Sequence, residues 1–192
     1  MTVDSAVPPS GSTPRRPSQL AYWLFGLVMI AAAVGWLLAH GADALRRPLV
    51  TPLVVGLVLG FVSHRLAPAG LSTVRRGSRL VAGLSAAGAI MLMHAEFLHR
   101  LQVTAAERAR SDPQQAFALE LSRQLLMTTE SSETIQREQR LAVAPTWADY
   151  IVHRATPLLG NAAAPWPQLL LAGEVIFAAA AAGSVVHRLR SL

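Results

Sequence analysis

LAYWLFGLVMIAAAVGWLLA, residues 20–39, runs for twenty positions without a charge. A helix rises about 1.5 Å per residue, so this stretch reaches about 30 Å, the thickness of a bilayer's hydrocarbon core. Three further stretches belong with it. Pro48–Ser63 is shorter and carries Pro48 and Pro52 near its start, so it spans only if the bilayer thins or its flanks snorkel. Leu80–Leu98 reaches the length only with His94 and Glu96 inside the membrane or at its edge, and Trp166–Val186 only with Glu174. The expectation is an all-α integral membrane protein with four transmembrane helices, at about 20–39, 48–63, 80–98 and 166–186, and a helical extracytoplasmic loop.

Composition agrees. Of 192 residues 52% are apolar and 15% charged, against about 25% charged in ordinary soluble domains. Mean hydropathy is +0.38. The charges fall between long blank stretches, which is the membrane pattern. All seventeen basic residues are Arg, which we read as the base composition of a GC-rich bacterium. The absence of Cys excludes disulfides, thiolate metal sites and Cys nucleophiles. The net charge of +6 comes without a basic stripe interleaved with aromatics, so no nucleic-acid partner is expected; the expected partners are the lipid bilayer and other membrane-protein helices.

Arginine placement orients the spans. Arg15 and Arg16, then Arg65, Arg75, Arg76 and Arg79, then Arg188 and Arg190 share one side, opposed by the single acid Asp4. The other side holds Arg46 and Arg47 with Asp43, and a long loop with seven Arg and seven acids. The positive-inside rule makes the first side cytoplasmic, so both termini face the cytoplasm of a bacterial inner membrane. Four spans also require both termini on one side. A cleaved signal peptide is the rival reading of the first span, with Ala42-Asp43-Ala44 as its cleavage site. Its apolar run is longer than an h-region of about 7 to 15 residues, and a retained span is expected.

Residues 1–18, rich in Pro, Ser and Thr, read as a disordered cytoplasmic tail. Residues 19–98 hold three spans with short loops, 99–165 the extracytoplasmic loop, and 166–192 the fourth span with a short basic tail. Within the loop, Asp112, Pro113 and Gln115 announce a helix, with Phe117, Leu121 and Leu125 on one face. A weaker helix covers residues 131–141. Thr146 and Asp149 occupy capping-box positions for a third, where Trp147, Tyr150 and Ile151 supply apolar contacts and Pro157 is the stop. Trp166 stands where an aromatic belt is expected.

The candidate sites are polar residues in apolar surroundings. Glu174 lies about two turns inside the last span, where a carboxylate is costly unless paired, protonated or turned to the bundle interior. In MLMHAEFLHR, residues 91–100, Glu96, His99 and Arg100 share a helical face while His94 points the opposite way. Glu96 and Arg100 read as an interfacial i,i+4 ion pair. His94 and Glu174 fall in the same half of the membrane, and contact between them would satisfy both. Gly56 and Gly60 form a small-xxx-small face for helix packing, repeated by Ala31/Gly35, Gly83/Ala87 and Ala179/Gly183. His40 with His94, and His64 with His187, place one pair per leaflet, the spacing a bis-His b-type haem needs. No cofactor is expected beyond that alternative, and two ligands are thin support for a metal.

No G-x-S-x-G, H-E-x-x-H or phosphate loop occurs. A non-catalytic subunit or assembly partner of a larger membrane complex is the expected role. The alternatives are a proton- or ion-handling protein using Glu174 and His94, and a haem electron carrier.

Overall fold

The computed structural model describes residues 17–41, 49–67, 75–112, 114, 117, 118, 120, 121, 124, 140–142, 145–160, 165–189 and 191. The regular structure among them is all helical. Five helices follow in chain order: α1 (Pro17–His40), α2 (Val50–Leu66), α3 (Arg75–Ser111), α4 (Trp147–Leu159) and α5 (Trp166–Leu189). Residues 1–16 of the expected tail, Pro48, and most of the loop helices at 112–125 and 131–141 lie outside the described residues, while residues 17 and 18, expected in the disordered tail, begin α1.

Contacts between helix ends give the topology. Arg100 donates to the carbonyl of Ala39 at 3.0 Å, so α1 finishes beside the latter half of α3. Trp23 Nε1 donates to the carbonyl of Ser63 at 3.3 Å, which sets the start of α1 beside the end of α2. Arg79 meets His187, which sets the start of α3 beside the end of α5. Helices α1 and α3 therefore run one way and α2 and α5 the other. Helix α5 packs on α2 and α3, α1 packs chiefly on α3, and α4 lies on α5.

The bundle is built from small residues inside and large ones outside. Its core is Ala31, Val55, Leu59, Ala82, Ala86, Ala89, Ile90, Ala178, Ala182 and Val186. Meanwhile Tyr22, Phe25, Leu84 and Ile176 face outward, each more than 60% exposed. Exposed apolar side chains on this scale would drive association in water. In lipid they are already solvated, and helices are held by close approach of small residues instead. Three helices are long and apolar enough to cross a membrane, over Gln19–His40, Gly77–Arg108 and Trp166–Leu189. Helix α2, with 17 residues, is apolar and shorter, about 26 Å long.

Several expected boundaries move. Helix α2 begins two residues after Pro48 and runs through His64 and Arg65, with Pro52 in its first turn, where its missing N–H breaks no helical hydrogen bond. Helix α3 does not end at Leu98. Its 37 residues make about 55 Å, more than the roughly 40–45 Å of a bilayer with its head groups. Pro157 does not stop α4; it sits inside the last turn, and the helix closes at Gly160, whose φ is 61° and whose N–H bonds Thr156 O at 2.9 Å. A proline so near the C-terminus removes one hydrogen bond, and the left-handed glycine makes the stop.

Candidate functional site

Helix α4 starts on a local device. Thr146 Oγ1 accepts the N–H of Asp149 at 3.2 Å and donates to Asp149 Oδ2 at 2.5 Å. That satisfies an orphan amide of the first turn and puts a carboxylate at the helix N-terminus. Asp149 also meets Arg140 Nε at 3.4 Å. Gln102 on α3 donates to the carbonyl of Pro145 at 3.1 Å and ties the start of α4 to the projecting turns of α3. From this start, Tyr150, Ile151, Arg154 and Ala155 follow at helical spacing on the face turned to the bundle; Tyr150, Ile151 and Ala155 are buried. The Tyr150 ring packs against Phe97 and Trp147, with centroids 5.6 and 5.7 Å away.

That face delivers two polar groups to two more from the long helices. Glu174 on α5 is 1% exposed and His94 on α3 is fully buried. His94 Nε2 lies 3.1 Å from Glu174 Oε2, and His94 Nδ1 lies 2.7 Å from the Tyr150 hydroxyl. Arg154 reaches the same carboxylate, its terminal nitrogen 3.1 Å from each oxygen and its Nε 3.4 Å from Oε2. One neutral tautomer of His94 serves both partners: Nε2–H donates to the carboxylate, and Nδ1 accepts the phenol proton. Among these four side chains the charges then sum to zero, one guanidinium against one carboxylate, with two neutral rings.

Neutrality and full hydrogen bonding are what a low-dielectric site requires of ionisable groups. The Arg154 side chain, 13% exposed, enters from α4 and keeps an edge toward the surface, as long cationic side chains do near a membrane boundary. Beside the cluster, Tyr150, Arg154, Leu170 and Glu174 line a cavity of about 10 Å³, barely the space of one water. Three helices meet at this point, so the cluster fastens α4 to the bundle.

The other sequence candidates separate. Glu96 and Arg100 do not pair with each other. Glu96 approaches His40 Nε2 at 4.0 Å, while Arg100 caps the Ala39 carbonyl at the end of α1. The orphan carbonyls and negative dipole end of α1 draw the guanidinium away from its helix neighbour. Gly56 and Gly60 lie against α5. A β-carbon on Gly56 would stand 2.5 Å from the carbonyl oxygen of Ala178, and one on Gly60 2.7 Å from that of Ala182.

Of the four histidines named for a bis-His haem, which binds through a ring nitrogen of each, His94 is the most committed to other partners. Both nitrogens of His94 are engaged. His40 stacks on Trp36 at 4.1 Å and donates to its carbonyl at 2.9 Å. At the other end His64 is half-buried on α2, and His187 Nδ1 accepts from Arg79. Among the described residues no three His, Asp or Glu side chains converge as a metal site would require.

Arg154 is the functional residue that sequence reasoning missed, and Tyr150 is one it took for an apolar contact only. A signal was present. On a helix whose apolar stripe contains Tyr150, Ile151 and Ala155, an Arg at i+4 from the Tyr is a charge on the buried face, and such a charge needs an acid partner. Comparison with protein-family models, with curated proteins and with solved structures found no match to this chain.

Proposed function

We propose that this is a four-span bacterial inner-membrane protein, with both termini in the cytoplasm, acting as a non-catalytic subunit or assembly partner of a larger membrane complex. The alternating direction of α1, α2, α3 and α5 supports the four crossings, and the Arg excess where α1 begins supports the orientation. Helix α4 then lies on the extracytoplasmic side. The observation that carries the role is the closed cluster at Glu174. Its carboxylate is held by groups of the same chain, and the adjoining space is about 10 Å³. A carboxylate spent on fastening a helix is a structural element, and what it fixes is the platform that α4 and the end of α3 raise above the bundle.

The proton-handling alternative rests on the same His94–Glu174 contact. It would need water to reach the carboxylate, beside which the cavity is about 10 Å³.

Purification of the full chain from its native membrane in a mild detergent, with mass spectrometry of whatever accompanies it, tests the proposal. A second polypeptide in stoichiometric amount is the expected result. A protein that purifies alone, and drives proton flux in liposomes that Glu174→Gln abolishes, would overturn it in favour of the alternative.

A further inference from the structure

At the end of the bundle away from α4, α3 and α5 leave an open groove of about 460 Å³ between them, lined by Arg79, Leu80, Gly83, Leu84, Ala87 and Ala179. Apart from Arg79 the lining is apolar. Its floor is set by small side chains, and Leu80 and Leu84 flank it, 62% and 63% exposed. Arg79, near the start of α3, is its polar end.

Two observations bear on what this groove accepts. The first is local. The Arg79 guanidinium contacts the ring of His187, which brings no negative charge, and its Nε is buried without a hydrogen-bond partner. The other terminal nitrogen of this guanidinium has no partner among the described residues, and its N–H groups suit phosphate or carboxylate. The second is global. No Asp or Glu stands between Asp43 and Glu96, and none follows Glu174. The helix segments that make this end, with Arg65, Arg79 and Arg188 on them, therefore supply no counter-charge of their own.

An anion that sits at a helix end with an apolar body in a membrane groove is a phospholipid. Basic pockets between membrane helices hold anionic head groups on this principle. We propose that the α3/α5 groove binds an anionic phospholipid, its phosphate on Arg79 and one acyl chain laid along Gly83, Leu84, Ala87 and Ala179. Charge complementarity selects this occupant over an uncharged partner helix, which would fill the groove and leave Arg79 without an anion. The site goes beyond the assembly role and does not depend on it.

The full chain in neutral detergent tests the site. Its thermal midpoint is followed as phosphatidylglycerol, phosphatidylcholine or soluble glycerol phosphate is added, and retained lipid is read by native mass spectrometry. Phosphatidylglycerol is expected to raise the midpoint and to stay bound, because a ligand that binds only the folded state stabilises it. Arg79→Gln should weaken that binding about fivefold, the factor that one Arg near a membrane surface contributes. Ala87→Leu, which fills the groove and leaves the charge, should lose the retained lipid while the protein still folds. If Arg79→Gln does not fold, Ala87→Leu decides alone. An equal rise with phosphatidylcholine, an equal rise with glycerol phosphate, lipid retained undiminished in Ala87→Leu, or a second copy of the chain cross-linked across the groove in the presence of lipid would each overturn the proposal.

Discussion

Glu174→Leu is expected to cost the folded bundle about 3–5 kcal/mol, the range for breaking a buried ion pair by deleting one partner. The side chain removed serves His94 and Arg154 together, so its loss leaves a guanidinium and an imidazole facing leucine. Arg154 can relieve part of this by swinging toward the surface, since its side chain already keeps 13% exposure. His94→Phe should cost less, about 1–3 kcal/mol, by stripping one bond each from the Tyr150 hydroxyl and the carboxylate. The double replacement should fall short of the sum by more than about 1 kcal/mol, the coupling expected of groups in contact.

From the His94–Glu174 pair alone, removing both residues would be expected to be milder than removing either. Arg154 changes that expectation, because it loses the Glu174 carboxylate in the double variant as well. Adding Arg154→Met should recover stability, as replacing a whole buried charge set by apolar residues often does. Glu174→Gln should be milder than Glu174→Leu, since an amide keeps hydrogen-bonding capacity. Unfolding in detergent measures the set, and strict additivity would mean that the three residues do not meet.

The second large effect lies between α2 and α5. Gly56→Leu and Gly60→Leu should each disrupt the bundle while membrane insertion proceeds, because the surface each helix turns to lipid is unchanged. The β-carbon that leucine brings to position 56 would lie 2.5 Å from a backbone oxygen and 2.6 Å from the β-carbon of Ala181. At position 60 the corresponding neighbours are the Ala182 oxygen at 2.7 Å and the Val185 β-carbon at 2.9 Å. Neither obstacle is the mobile end of a side chain, so the helices themselves must move apart. Alanine alone already meets these atoms, and overpacking of a tight core costs about 1–3 kcal/mol before the rest of leucine is counted. Gly88 and Gly173 are the contrast. Nothing lies within 4 Å of a β-carbon at either, and alanine there should be neutral or stabilising by up to about 1 kcal/mol through helix propensity. Thermal midpoints of the four variants in one detergent separate packing from propensity. Equal midpoints for Gly56→Leu and Gly88→Ala would remove the α2–α5 interface from the account.

What could be read in the sequence follows from how far along the chain each cause acts. The long apolar helices were legible because twenty uncharged residues in a row, as in 20–39, are a local statement about solvent. The cap of α4 was legible because Thr146 and Asp149 stand three residues apart and act on each other. Gly56 and Gly60 showed a helix face that admits close approach, and only the fold says that α5 fills it. The same limit explains the errors. Glu96 and Arg100 are neighbours on one helix, and local spacing pairs them. Their actual partners, His40 and the Ala39 carbonyl, are some sixty residues away in sequence and enter through packing of α1 on α3. Arg154 was overlooked because α4 was read as a loop helix, and a charge on a loop helix is ordinarily solvated. Its meaning depends on α4 folding back onto α5. The end of α3 was misplaced because hydropathy marks where lipid stops and a helix does not stop with it. His99 and Arg100 continue the same hydrogen-bonded ladder into the polar side.

Four helices that cross the bilayer in alternation would hold α4 on the side opposite the two termini. Reporter fusions after residues 70, 130 and 192 of the full chain test this arrangement most directly. A reporter active only outside the cytoplasm should be silent at 70 and 192 and active at 130, with a cytoplasm-dependent reporter giving the reverse. A cytoplasmic signal at 130 would contradict the account, because α4 could not then reach Glu174 from the extracytoplasmic side.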